Sequence, residues 1–130
     1  MDEHERYAAG MSKRREVLGD AHVDYAMAVV APLTAEFQDL ITRYAWGEIW
    51  TRPGLDVRSR RVLVIGTMVA LGLWDELRMH MRAALVEGQF TGDDVKEIIL
   101  QQAVYCGVPA AHRAFAVLSS VIAEISPPAK

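Results

Sequence analysis

The sequence is poor in thiols, in lysine and in apolar runs long enough to matter to a bilayer. Its single cysteine, Cys106, excludes an internal disulfide and any zinc centre built on several thiolates, and suits the role of a small buried hydrophobe. The only lysines are Lys13, Lys96 and Lys130, in charged stretches or at the terminus. Schiff-base chemistry, which needs a desolvated amine, therefore has no candidate. The longest apolar stretch, Val62 to Trp74, falls short of the roughly 20 residues of a membrane-spanning helix. The N-terminal residues mix charges where a signal peptide would carry an apolar region. A cytoplasmic protein with no membrane partner is the expectation. A net charge of -3 leaves no basic footprint for nucleic acid, and the Lys13-Arg14-Arg15 cluster is answered nearby by Glu16 and Asp20. No convincing strand precedes a glycine-rich loop, so nucleotide cofactors have no home.

What is present is helix. The chain of 130 residues with a hydrophobic fraction of 52% fits one domain, 1–130, undivided by linker or repeat. Residues 1–15 are charged and expected to be loosely held, and 126–130 read as a frayed tail. The chain is organised around Arg58 to Gly88. The run Val62 to Leu71 has almost no polar face and predicts a central helix buried on all sides, broken at Gly72. A second pattern, Asp75 to Leu85, repeats its apolar residues at Leu77, Met81, Ala84 and Leu85, and His80 shares that stripe. Upstream, Ala21 to Val30 is a short piece stopped before Pro32. Leu33 to Trp50 carries Phe37, Leu40, Ile41 and Tyr44 at 3.6 spacing. Continuing that stripe by four residues lands on Glu48 and directs a carboxylate toward the core. Thr51 to Asp56 is turn chemistry, with Asp56 or Ser59 available as a cap.

After Gly88, Thr91 with Asp94 resembles a capping box opening a helix to about Tyr105. Its apolar residues cover more than one face, which predicts burial against another subunit. Gly107-Val108-Pro109 stops that helix and starts the last, Pro109 to Ile125, with Ala111, Phe115, Leu118 and Ile122 inward and His112 on the flank.

Glu48, His80 and His112 thus lie on or beside apolar stripes. Singly, each has a plain reading as a hydrogen-bonded core residue. Together they suggest chemistry, because a buried carboxyl must be paired or protonated, and a protonated one is a proton donor at neutral pH. Two histidines and a carboxylate are also a metal-ligand set by type, but no local His-x-x-x-His pair supports it.

The same residues carry a family resemblance. Arg14 to Val23, Phe37 to Asp56, Leu71-Gly72, Met79 to Leu85 and Ala103 to Ala111 resemble the 4-carboxymuconolactone decarboxylase family over nearly the whole chain. The sequence departs from the family pattern at Val57, where a basic residue is expected, and at His112, where Asn is expected. Thiol peroxidases of the wider superfamily use a Cys-x-x-Cys pair. Here those positions are Leu73 and Glu76, which excludes that activity.

The resemblance implies an all-α fold assembled as a ring-like homo-oligomer, a hexamer, with sites near subunit contacts. It implies cofactor-independent loss of carbon dioxide from a lactone dicarboxylate, giving an enol-lactone. In that chemistry Glu48 and His80 would divide proton donation and oxyanion stabilisation. Arg58 or Arg60 would hold the acetate arm, and His112 joins them as a substrate-binding candidate. The alternative is a superfamily member whose pocket binds a small organic acid without this reaction.

Overall fold

The computed structural model describes residues 2–126, and these are all-α, with no strand among them. The chain groups into two compact units, Met1–Val57 and Arg58–Lys130. Of the expected tail at 126–130, residues 127–130 lie outside the described residues.

The first unit opens with α1, Glu3–Leu18, which replaces the loose N-terminus expected from its charges. Asp2 and Glu5 explain the difference. The Glu5 N–H donates to Asp2 Oδ1 at 2.8 Å and the Asp2 N–H to Glu5 Oε2 at 3.3 Å, a reciprocal capping box that satisfies donors left over at the helix start. Gly10, Arg14, Val17 and Leu18 recur at helical spacing and are buried, so the charged residues occupy the other faces. Gly19 ends α1 and leads into α2, Asp20–Ala28, of which only Val23 is buried.

Helix α3, Ala35–Ile41, continues without a break into a π-helical segment, Thr42–Ile49. The Trp50 N–H donates to Ala45 O, five residues back, at 2.9 Å. The wider turn sets Thr42, Trp46 and Gly47 on the buried side, against α1. The crossing is close because both helices offer glycine there. A Cβ on Gly10 would overlap Thr42 O and lie 2.8 Å from Gly47 N, and one on Gly47 would overlap Arg6 O.

The second unit holds α4, Val57–Leu71, α5, Trp74–Val86, α6, Gly92–Cys106, and α7, Val108–Ile125. Its core is one cluster drawn from all four helices, with Ile65 and Val69, Leu77 and Met81, Val95 and Ile99, and Ala114 and Leu118 at the centre. Full burial of the valine, leucine, isoleucine and methionine side chains among these stabilises by about 1.5–3 kcal/mol each. Helix α4 stops where the sequence placed its break: Gly72 takes φ 68°, and the Gly72 and Leu73 N–H groups return to Val69 O at 3.3 Å and Met68 O at 3.1 Å.

The expectation that α4 is covered on all sides is not met. Arg61, Ile65 and Val69 form one buried stripe, whereas Leu63 is 57% and Leu71 65% exposed. An apolar groove of about 530 Å³ runs along this open side, lined by Val62, Leu63, Ala70 and Leu71 of α4 and Ile98 of α6. Helix α6 has the predicted Thr91–Asp94 box, with the Asp94 N–H donating to Thr91 Oγ1 at 3.1 Å and the Thr91 N–H to Asp94 Oδ2 at 2.8 Å.

Helix α7 is long and apolar enough, by length and composition, to cross a membrane. Its buried residues Ala111, Ala114, Leu118 and Val121 form one face packed into the unit, and Arg113 and Glu124 lie on the other faces, the pattern of an amphipathic helix at the surface of a globular unit. The expected inward set is half right, since Ile122 is partly exposed and Ala114 and Val121 take the buried positions.

Candidate functional site

Glu48 stands in the π-helical segment, and its side chain is exposed. The sequence reading found the right face and the wrong direction. Phe37, Leu40 and Tyr44 are 58%, 49% and 56% exposed, so the stripe that Glu48 continues is the open side of this helix. The buried side is the one occupied by Thr42, Trp46 and Gly47, small or flat enough to pack on α1. The burial expected of Glu48 from its stripe is absent. What singles the residue out is its backbone: π-helical turns are rare and concentrate at functional sites.

His80 occupies α5 between fully buried Leu77 and Met81, and is itself half-buried and engaged by a partner. It lies at the margin of the core stripe rather than within it. His112, on α7, is exposed one residue beyond buried Ala111. Among the described residues no group of three His, Cys, Asp or Glu side chains is arranged to hold a metal ion.

The arginines at the start of α4 divide. Arg58 is exposed but committed: its Nη2 lies 3.3 Å from Asp94 Oδ2, and its Cζ stands 4.1 Å above the Phe90 ring. It therefore braces the start of α6. The Asp94 carboxyl is held below the usual carboxylate range, first by the Thr91 backbone N–H and, after a smaller opposing effect of burial, by Arg58. Arg60 is half-buried and also engaged. Cys106 is half-buried, with its Sγ 3.6 Å from Gln102 Nε2, which also donates to Gly66 O at 2.9 Å. The thiol thus sits in a local contact between α6 and α4.

The charged side chains that are buried among the described residues are two the sequence reading did not single out, Arg14 at 6% and Arg61 at 5% exposure. Arg61 passes beside Gly88, where a Cβ would lie 2.7 Å from its Nε. Arg14 was legible in principle, four residues after Gly10 and three before Val17 on one helical face.

The sequence also matches known proteins. The sequence model of the carboxymuconolactone decarboxylase family matches residues 35–120. A 4-carboxymuconolactone decarboxylase of Acinetobacter baylyi is 40% identical over 125 residues, 96% of this chain and 92% of that protein. A nitrosuccinic acid decarboxylase of Metarhizium robertsii is 38% identical over 116 residues, 89% of this chain and 80% of that protein. A 48-residue sequence named 4-carboxymuconolactone decarboxylase from Pseudomonas putida is 54% identical over its whole length, 37% of this chain.

Proposed function

The chain belongs to the carboxymuconolactone decarboxylase family, and from that premise we propose that it is a cofactor-independent carboxy-lyase converting 4-carboxymuconolactone to β-ketoadipate enol-lactone in protocatechuate catabolism. The observation that carries this reading is the 40% identity to a decarboxylase of that name over 96% of the chain. The bond that breaks joins a ring carbon to the departing carboxylate. Its electron pair flows through the ring double bond into the lactone carbonyl, so the substrate is its own electron sink. The protein must stabilise the dienolate oxygen, deliver a proton to ring carbon and hold the remaining carboxylate.

In this reading His80 and Glu48 divide the first two tasks. The half-buried setting of His80 beside Leu77 and Met81 supports its role, and the π-helical backbone at Glu48 supports the other. Self-association into a hexamer is part of the proposal. The open apolar faces support it, notably Val104 and Tyr105 on α6 at 75% and 76% exposure, since patches of this kind mark interfaces.

The test is release of carbon dioxide from 4-carboxymuconolactone with stoichiometric appearance of the enol-lactone. No release above the uncatalysed rate would overturn the reading. The relative named for nitrosuccinic acid supports a second reading, the same bond cleavage on a different acid. A parallel assay with nitrosuccinic acid separates the two by the ratio of their kcat/KM values.

A further inference from the structure

The first unit buries a cation that no carboxylate pairs with among the described residues. Arg14 of α1 is 6% exposed, and its Nη1 donates to Thr42 Oγ1 at 3.4 Å, a long bond to a neutral group. The Thr42 hydroxyl sends its own proton to Gln38 O at 2.7 Å, which leaves its oxygen free to accept from Arg14. Arg14 Nε is buried and donates to nothing among the described residues, and Gln38 Oε1, one turn before Thr42, is buried and accepts nothing. No carboxylate among the described residues pairs with this guanidinium. The adjacent Arg15 provides the contrast, holding Asp20 and Asp24 at 3.1 and 2.8 Å in an exposed setting.

Burying a guanidinium without a counter-charge is costly, and proteins keep such groups where an anion completes them. The electrostatics agree with the geometry. Burial pushes the Arg14 pKa down against a smaller opposing effect of the Tyr7 phenol, and His22 is lowered by its own burial and then by the Arg14 charge. A guanidinium is a planar fork that matches a carboxylate through two parallel hydrogen bonds. Arg58, one of the two arginines expected to anchor substrate, is committed to Asp94 and Phe90. Arg14 also lies outside residues 35–120, the part matched by the family model.

We propose that Arg14, oriented by Thr42, is a carboxylate-binding residue that takes a carboxylate of the acid substrate. The proposal rests on the carboxylic-acid reading above. It differs from a structural role for Arg14 in one consequence: a structural arginine stabilises the free protein, whereas an uncompensated buried charge destabilises it until the acid arrives.

The experiment uses the full chain and succinate as probe. In the parent protein, succinate should move the NMR titration midpoint of His22 upward, because an anion beside Arg14 cancels the charge that depresses it. Arg14→Met should abolish that response and leave thermal stability equal or higher. In turnover of 4-carboxymuconolactone, Arg14→Met should raise KM about 10- to 100-fold, the scale of a lost charge-assisted hydrogen bond, with kcat within about threefold. Arg14→Lys should recover part of the KM loss by restoring the charge without the fork.

No movement of His22 with succinate in the parent, or an Arg14→Met protein with lowered stability and unchanged KM, overturns the proposal. If the lactone is not decarboxylated but succinate moves His22 in the parent and not in Arg14→Met, the subsite stands and the substrate reading falls. If decarboxylation proceeds and neither KM nor His22 responds, the reading stands and the subsite falls.

Discussion

Substituting Gly10 by alanine is expected to separate α1 from the π-helical segment. An added Cβ would overlap Thr42 O, with Gly47 N at 2.8 Å and the Thr42 carbonyl carbon at 3.0 Å. All three are backbone atoms, so no side-chain rotation relieves the overlap and one helix must move. In an unobstructed helix the same change would stabilise by about 1 kcal/mol, because alanine orders more cheaply than glycine. Overpacking costs about 1–3 kcal/mol, and a rigid wall places this site at the upper end. The difference leaves Gly10→Ala destabilised by about 2 kcal/mol.

Urea unfolding followed by tryptophan fluorescence suits the measurement. Trp46 and Trp50, stacked with centroids 4.9 Å apart, lie in and next to the segment that must shift. Gly54→Ala is the control, since nothing lies within 4 Å of its added Cβ, and it should stay within about 0.5 kcal/mol of the parent. A Gly10→Ala protein as stable as the parent would refute the close-packed crossing. Because the displaced segment carries Glu48, turnover should fall in the same variant.

His80→Ala and Glu48→Gln should each lower lactone turnover by roughly 10² to 10⁴ with little change in KM, the scale of a lost general acid or oxyanion donor. If both remain folded and within a few-fold of the parent rate, the assignment is wrong. His112→Asn should be tolerated, as its exposed position suggests, and a turnover loss beyond about tenfold would place residue 112 in the reaction. His22, with its pKa lowered by burial and by Arg14, stays neutral in the folded state where the unfolded chain would take up a proton. Stability should therefore be full above the ordinary histidine value of about 6.5 and decline as pH falls from there to the lowered folded value; a pH series in which His22→Gln keeps the parent's slope would contradict this. Thr91→Ala should cost about 1 kcal/mol by removing the α6 cap, and an unchanged unfolding midpoint would count against it. Light scattering at micromolar concentration should give a hexamer, and monomer alone would defeat self-association.

Helix positions were largely legible because each carries its own local signal. The Thr91–Asp94 box, the Gly72 break and the Gly107-Val108-Pro109 junction all stand where their chemistry puts them. Direction was less legible. Period 3.6 groups Phe37, Leu40, Tyr44 and Glu48 on one face, and they do share a face, but periodicity cannot say what covers it. The same gap explains Val62 to Leu71. Apolar composition suggested cover on every side, yet among the described residues the buried positions of this helix are Arg61, Ile65, Gly66 and Val69, along one side. The π-helical turn left no recognisable sequence signal, and Asp2 with Glu5 was a capping pair overlooked amid the surrounding charges.

The Lys13-Arg14-Arg15 cluster shows why charge matching along a sequence misassigns partners. Counting neighbours gives three cations and, close by, Glu16 and Asp20. Successive helix residues are rotated by about 100°, so the three point in different directions. Lys13 reaches Glu16 at 3.1 Å, and Arg15 takes both Asp20 and Asp24. Arg14 falls on the face shared by Gly10 and Val17 and is carried into the crossing with Thr42, away from each of those acids. The glycine that lets α1 approach the π-helical segment thus stands one turn from the arginine that the approach buries. A carboxylate within the unit would have been the inexpensive way to balance that charge, and among the described residues none pairs with it. A guanidinium carried into the crossing with its Nε buried and unpaired, and oriented by one neutral hydroxyl, is consistent with a group held for an acid that comes from outside the chain.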